Sequence, residues 1–470
     1  MTGKIPEFPR LSGRAYFFPA VLPLAAIMPW MLTAIGAVAG VAGFSGGAFW
    51  RKHRLRILIV AAACFVGAAA VVIVKMPDKA VRDRGTQATL TDKLPVAQIV
   101  RTSTLPEPPP ERTQFGEIWS QRINKQVLST PVIAGDLLIF GSYKGSVEAL
   151  SLQNGSEVWS LPQKEPVFAL GLETDGILYA GEGLHDTTSA RLTAINPANG
   201  KPLWQREFLG HIESPPALDG KNNLLWIGTG SGGLWTLDAR DGRVLWRKAI
   251  GHMDSTAAVS GDTVYALAQP DEKIGKSVLY ALDAGKGDIL WEKELPGMPW
   301  GNPFFDKSGK TIFTTTGSGQ IGVVKPTDRG WAHALSASDG KILWQKELPG
   351  MPIQPDIYLP DLRIVIYSLK TGELAALDVK DGATVWRAGV GDEIQAAASL
   401  LEGEGEKLIA VTTYDGTFSI RRAATGAEVA RRIVRKNSTS SPVSRNDAVY
   451  VMTAYSVTAY GGVHALREGL

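Results

Sequence analysis

The sequence predicts an all-β fold: an eight-bladed β-propeller, with four antiparallel strands per blade, preceded by N-terminal transmembrane helices. Three observations carry this. An eleven-residue unit ending in tryptophan recurs along the chain. Each copy carries a glycine where a tight turn would fall. Strand-forming sequence is left over at both ends, and together it makes one further blade.

The unit reads Ala149 to Trp159, Ala194 to Trp204, Thr236 to Trp246, Ala281 to Trp291, Ala334 to Trp344 and Ala376 to Trp386. A seventh copy, Ser419 to Ala430, keeps Gly426 but has Ala430 in place of the tryptophan. The glycines fall at 155, 200, 242, 287, 340, 382 and 426. A fixed period of this length marks a repeat architecture. The one long interval, Gly287 to Gly340, calls for an insertion, placed at Lys325 to Gly330. Each unit reads as strand, turn, strand. In most copies an Asn-Gly or Asp-Gly pair supplies the positive φ that a hairpin turn needs. Two more strands precede each unit, as in Thr130 to Ala134 and Asp136 to Phe140. Four strands are the content of a propeller blade.

After Arg435 three more strands follow: Ser440 to Val443, Ala448 to Thr453 and Ser456 to Tyr460. Their fourth partner is expected at Phe115 to Ser120, which carries Trp119. The N-terminal strand would then close the last blade and leave no free sheet edge at the seam. Trp119, Trp159, Trp204, Trp246, Trp291, Trp344 and Trp386 are expected to dock neighbouring blades, because burying an indole stabilises each junction. The junction beside Ala430 is expected to be the weakest, since its anchor is missing.

Composition narrows the chemistry. Of 470 residues, 49 are basic and 46 acidic, a formal net charge of +3, so no basic field marks a nucleic-acid binder. The single cysteine, Cys64, excludes an intramolecular disulfide and a cysteine-rich metal centre.

Residues 1–75 read as a membrane anchor with two spans, about 20–48 and 57–75. No charged residue lies between Tyr16 and Trp50, which is long enough to cross a bilayer core. A second apolar run, Ile57 to Val74, follows the basic cluster Arg51 to Arg56. That cluster favours a cytoplasmic connecting loop and a periplasmic C-terminal domain. Flanking charges at Lys4, Arg10, Arg14, Lys75, Lys79, Arg82 and Arg84 work against this orientation. Pro19, Pro23 and Pro29 offer a re-entrant alternative for the first run. Ala61-Ala62-Ala63-Cys64 is loosely lipobox-like, but the apolar run continues through it to Val74. Residues 76–114 end in Pro106-Glu107-Pro108-Pro109-Pro110-Glu111 and read as a Pro-rich polar linker. The propeller occupies 115–470.

The repeat A-x-D-x-x-x-G-x-x-x-W resembles the tryptophan-docking motif of the quinoprotein (PQQ-like) β-propellers, over residues 115–462. Two branches matter: the PQQ-dependent dehydrogenases and the non-catalytic BamB-type assembly factors. The propeller holds no cysteine, and its blades have near-minimal spacing. The chain therefore resembles the BamB-type branch more, although it carries membrane spans where that branch has a lipoprotein signal.

The first strand of each blade is expected to line the central channel. The starts of these strands align as Thr130, Ser214, Ser255, Asn302, Gln354, Gln395 and Ser441. Glu213 and Asp254 precede two of them, and His211 and His252 sit at matching positions in consecutive blades. These residues, with Trp300 as a planar stacking surface, are the candidate ligand site: His211, Glu213, His252, Asp254, Trp300, Asn302, Gln354 and Gln395. In one reading Glu213, Asp254 and Asn302 are oxygen ligands for calcium beside PQQ, with a carboxylate as general base. In the other they cap strand ends and hold channel water. Three functions follow. One is a cofactor-free periplasmic scaffold, tethered to the bacterial inner membrane, that docks envelope or inner-membrane proteins through propeller loops and transmembrane helices. The others are a PQQ- and calcium-dependent oxidoreductase and a small-ligand sensor.

Overall fold

In the computed structural model each eleven-residue unit forms the two outer strands of a four-stranded antiparallel sheet, and eight such sheets make up the ring. The structure describes residues 114–185, 187–270, 275–318 and 328–468, apart from the side chains of 354–356 and 468. The expected spans at 20–48 and 57–75, and the linker up to residue 113, lie outside the described residues. No helix among the described residues is long and apolar enough to cross a membrane.

Seven sheets follow chain order. The first runs from Val132–Ala134 to Glu157–Pro162, and the seventh from Ser399–Leu400 to Glu428–Ile433. The eighth is built from both ends of the chain. Val443–Arg445, Ala448–Thr453 and Ser456–Gly461 are joined by the N-terminal strand Gly116–Arg122. That strand pairs antiparallel with Ser456–Gly461, with Trp119 opposite Ala459 and Arg122 opposite Ser456. The closure is the one expected from the leftover strands.

The two ends of the repeat face each other. Ala149 pairs with Trp159, Ala194 with Trp204, Ala281 with Trp291, Ala334 with Trp344 and Ala376 with Trp386. A small residue opposite the indole leaves room for it on the pleat. The register slips by one residue just before each tryptophan. The skipped residues, such as Val158, Leu245, Leu290 and Val385, are exposed on the outer strand. A β-bulge of this kind re-aims a side chain, and here it turns the indole toward the next blade.

Each indole lands on the turn of the following blade. The Nε1–H groups of Trp119, Trp159, Trp204, Trp246, Trp291, Trp344 and Trp386 donate to the carbonyls of Leu152, Pro197, Ala239, Ala284, Ala337, Val379 and Ala423, at 2.9–3.1 Å. Each acceptor lies three residues before a repeat glycine. The glycine is required twice over: Gly287 has φ +75°, and a Cβ there would lie 2.7 Å from the Trp246 ring. The motif's aspartate secures the same turn, as where Asp283 Oδ1 accepts from the amides of Gly285 and Lys286.

The missing eighth anchor has a physical cause. A tryptophan at 430 would dock on the outer turn of the eighth blade, and that blade has none, because its two outer strands come from opposite chain ends. Ile420 opposes Ala430, so large and small exchange places. The junction is filled by other means. Phe115 stacks on Tyr460 and Tyr460 on Phe418, with centroids 5.6 and 5.4 Å apart. Arg432 lies over the Phe115 ring at 5.0 Å. The C-terminal helix Val463–Glu468 adds Val463 and Leu466 to the same cluster.

The insertion falls in the connection between Thr311–Gly317 and Gly330–Ser336. Of the expected segment, 325–327 lie outside the described residues. The base of the connection is closed where the Arg329 amide donates to Ser318 Oγ at 2.8 Å.

Candidate functional site

Strand direction decides which loops share a mouth. The link from each blade's outermost strand to the next blade's innermost strand lies on the same face as the loop between the second and third strands. His211 and Glu213 occupy the link from the second blade to the third, and His252 and Asp254 the link from the third to the fourth. His185 lies in the loop between Leu178–Glu182 and Ser189–Asn196 of the second blade. The topology therefore gathers three histidines and two carboxylates on one face.

They are in contact. His185 Nδ1 lies 2.7 Å from Glu213 Oε1. His211 Nε2 lies 2.9 Å from Asp254 Oδ1 and 3.9 Å from Glu213 Oε1. His252 Nε2 lies 2.7 Å from Asp254 Oδ2. The imidazoles of His185 and His252 approach that of His211 with centroids 4.9 and 5.2 Å away. His211 is buried, while Glu213 and Asp254 are nearly so. A glycine makes room: a Cβ on Gly230 would lie 2.1 Å from His211 Cε1.

The electrostatics follow from these contacts. Burial pushes the Asp254 carboxyl up, but hydrogen bonds and charge from His211 and His252 outweigh it, and the group is held well below the usual carboxylate range. Burial draws the His252 imidazole down, and the Asp254 carboxylate more than reverses this, leaving it above its ordinary value.

The other candidates do not join this cluster. Asn302 Oδ1 accepts from the Thr256 amide at 2.9 Å, and Thr256 Oγ1 donates to the Pro215 carbonyl at 2.9 Å. Successive links are thereby tied across three blades. Thr130 Oγ1 and Ser441 Oγ approach to 3.5 Å, and Ser255 Oγ donates to the Leu267 carbonyl at 2.9 Å. Trp300 is half-buried beside Gly317. Gln395 is half-buried in the link before Ser399–Leu400. Gln354 lies within the strand Pro352–Leu359, not ahead of it, and its side chain is outside the described residues.

His185 is the participant that sequence reading missed. It sits in a different loop of the blade from His211, and no spacing links the two. The signal available was topological: the two kinds of loop open on the same face.

The donors do not fit the calcium that would accompany PQQ. Calcium takes six to eight oxygen ligands. Here imidazoles hold both carboxylates, and the Asn302 oxygen is engaged by the Thr256 amide.

The closed ring and its docked indoles define an eight-bladed propeller of the tryptophan-docking type. A family model described as outer membrane protein assembly factor BamB matches residues 115–293 and 275–462, and the chain belongs to that family. The BamB of Xanthomonas campestris is 24% identical over 382 residues, covering 66% of this chain and 86% of the relative. That of Alkalilimnicola ehrlichii is 27% identical over 126 residues, covering 26% of this chain and 32% of the relative. Matches to three such relatives span 32%, 46% and 42% of their lengths. The crystal structure of BamB from Moraxella catarrhalis superposes with a TM-score of 0.55 at 18% identity, covering 74% of this chain and all of that one, a likeness of fold.

Proposed function

We propose that this chain is a non-catalytic, membrane-tethered propeller that docks other proteins of the bacterial envelope during assembly. The observation that carries the reading is the family match, which runs through the whole ring. The relatives are outer membrane protein assembly factors. The geometry supports a docking role. Loops from all blades open on two faces held rigid by the docked indoles, and loops on a rigid frame are where proteins place their binding residues. In this reading residues 1–75 hold the ring at the inner membrane, facing the periplasm, and the linker 76–114 sets its reach. Docking requires no quinone.

Photo-crosslinking in the native envelope tests this. Crosslinker groups placed at exposed Tyr143 and Tyr455, on one face, and at Leu362, on the other, should each give either no product or one discrete adduct. The proposal expects a discrete adduct with an envelope protein from at least one face. If neither face gives an adduct, and the chain with added PQQ and calcium instead reduces a dye with an alcohol or sugar, the oxidoreductase reading replaces it.

A further inference from the structure

We infer that His185, His211, Glu213 and Asp254 form a binding site for a divalent transition ion of the zinc class, one that staples three connections on one mouth of the ring. The donor atoms are His185 Nδ1, His211 Nε2, Glu213 Oε1 and Asp254 Oδ1, and such atoms from these four residues all lie within 4.8 Å of one another.

Four features point to an ion. The donors are two imidazole nitrogens and two carboxylate oxygens, a set that suits zinc and its neighbours and is too nitrogen-rich for calcium or magnesium. Three of the chain's six histidines meet here from three separate loops. A tetrahedral ion with bonds of about 2.0–2.1 Å separates its ligands by about 3.3 Å; three of the donor pairs, at 2.7, 2.9 and 3.9 Å, straddle that value, and all lie within 4.8 Å. Finally, Asp254 is already held in place, since its other oxygen accepts from His252 Nε2 at 2.7 Å. Carboxylate and imidazole partners of this kind fix metal ligands and tune them.

The consequence is mechanical. His185 comes from within the second blade, His211 and Glu213 from the link to the third, and Asp254 from the link to the fourth. One bound ion would tie the three into a rigid unit at the mouth. The inference does not depend on the docking role, and its test reads the metal alone.

The full-length chain, purified in mild detergent with a histidine-free tag, is stripped with chelator and titrated with zinc against a chromophoric competitor. The expected result is one zinc per chain, with a rise in melting temperature on loading. His185→Ala is the informative variant, because this side chain is partly exposed. It and Asp254→Asn should each weaken zinc about 100-fold, and His252→Ala about 10- to 100-fold. Cooperative melting in chelator should show that His185→Ala is folded, and zinc should raise its melting temperature less than that of the wild type. Two results overturn the inference. One is a wild type that takes up no stoichiometric zinc at micromolar free metal. The other is zinc bound equally by wild type and by folded His185→Ala.

Discussion

Opposite each docking tryptophan sits a small residue, and beneath it a glycine with nowhere to put a Cβ. Trp246 and Trp344 each fill a junction and satisfy a carbonyl of the next blade. Replacing either with alanine should cost about 3–5 kcal/mol, as for other buried aromatics. Replacement with phenylalanine retains most of the packing and loses the hydrogen bond, at about 1 kcal/mol more than the packing loss. Denaturant unfolding of the full chain checks both. His333 offers a pH test. It is fully buried in the fifth blade, bonded to Thr316 Oγ1 at 2.9 Å, and burial pulls its imidazole down to about 4. A depressed histidine favours the fold while neutral. Its contribution is therefore complete above the ordinary value near 6.5 and is lost as pH falls from there to about 4. The loss should amount to about 3 kcal/mol, and His333→Gln should flatten that limb of the stability profile. The tryptophans and glycines were legible in the sequence because each recurs at one position of a repeat. His185 was not legible, because its role depends on which loops share a face.

At the scale of the element, the eighth blade shows why one copy of the motif decayed. A tryptophan at 430 would have no turn to dock on, so sequence reading correctly found the missing anchor but could not see its substitute. Phe115 lies far along the chain from Phe418, Tyr460 and the helix Val463–Glu468, and only ring closure brings it to them. The junction therefore depends on the N-terminal strand being seated. Phe115→Ala should destabilise it by about 2–3 kcal/mol, below the range for fully buried aromatics because Phe115 is partly exposed. Hydrogen exchange should quicken in 417–433 and 456–461 and stay unchanged in 233–248. A uniform change across the ring would show that the seam is not a separable unit of stability. The candidate channel residues were half legible. Asn302 and Ser255 lie just ahead of their strands, where Asn302 ties one link to the next and Ser255 ties its link to Leu267 of the second strand. The bulge between Ile353 and Ile357 shifts Gln354 into its strand.

At the scale of the whole molecule, blade number and closure followed from counting turns and leftover strands. The period carries that information directly, and the register of Gly116–Arg122 on Ser456–Gly461 realises it. Function was legible only as far as the family, because a propeller frame hosts many activities and the site must decide among them. The donor set of the mouth cluster, two imidazoles with two carboxylates, does not suit calcium, and sequence spacing could not reveal that set without His185. What distinguishes the proposed role is the tether. Holding a ring beside its partners converts docking into a local event at an effective concentration on the order of millimolar. The same ring released into the periplasm meets them at its bulk concentration.

That contrast is measured most directly by crosslink yield in the native envelope for three forms of the chain at equal abundance. These are the full chain, the chain with residues 1–75 replaced by a cleaved export signal, and the chain with residues 1–75 replaced by an unrelated two-span inner-membrane anchor. The account predicts that the partner adduct falls at least tenfold in the released form and returns with the unrelated anchor. An adduct that is equally abundant in the released form would contradict a tether-dependent docking role.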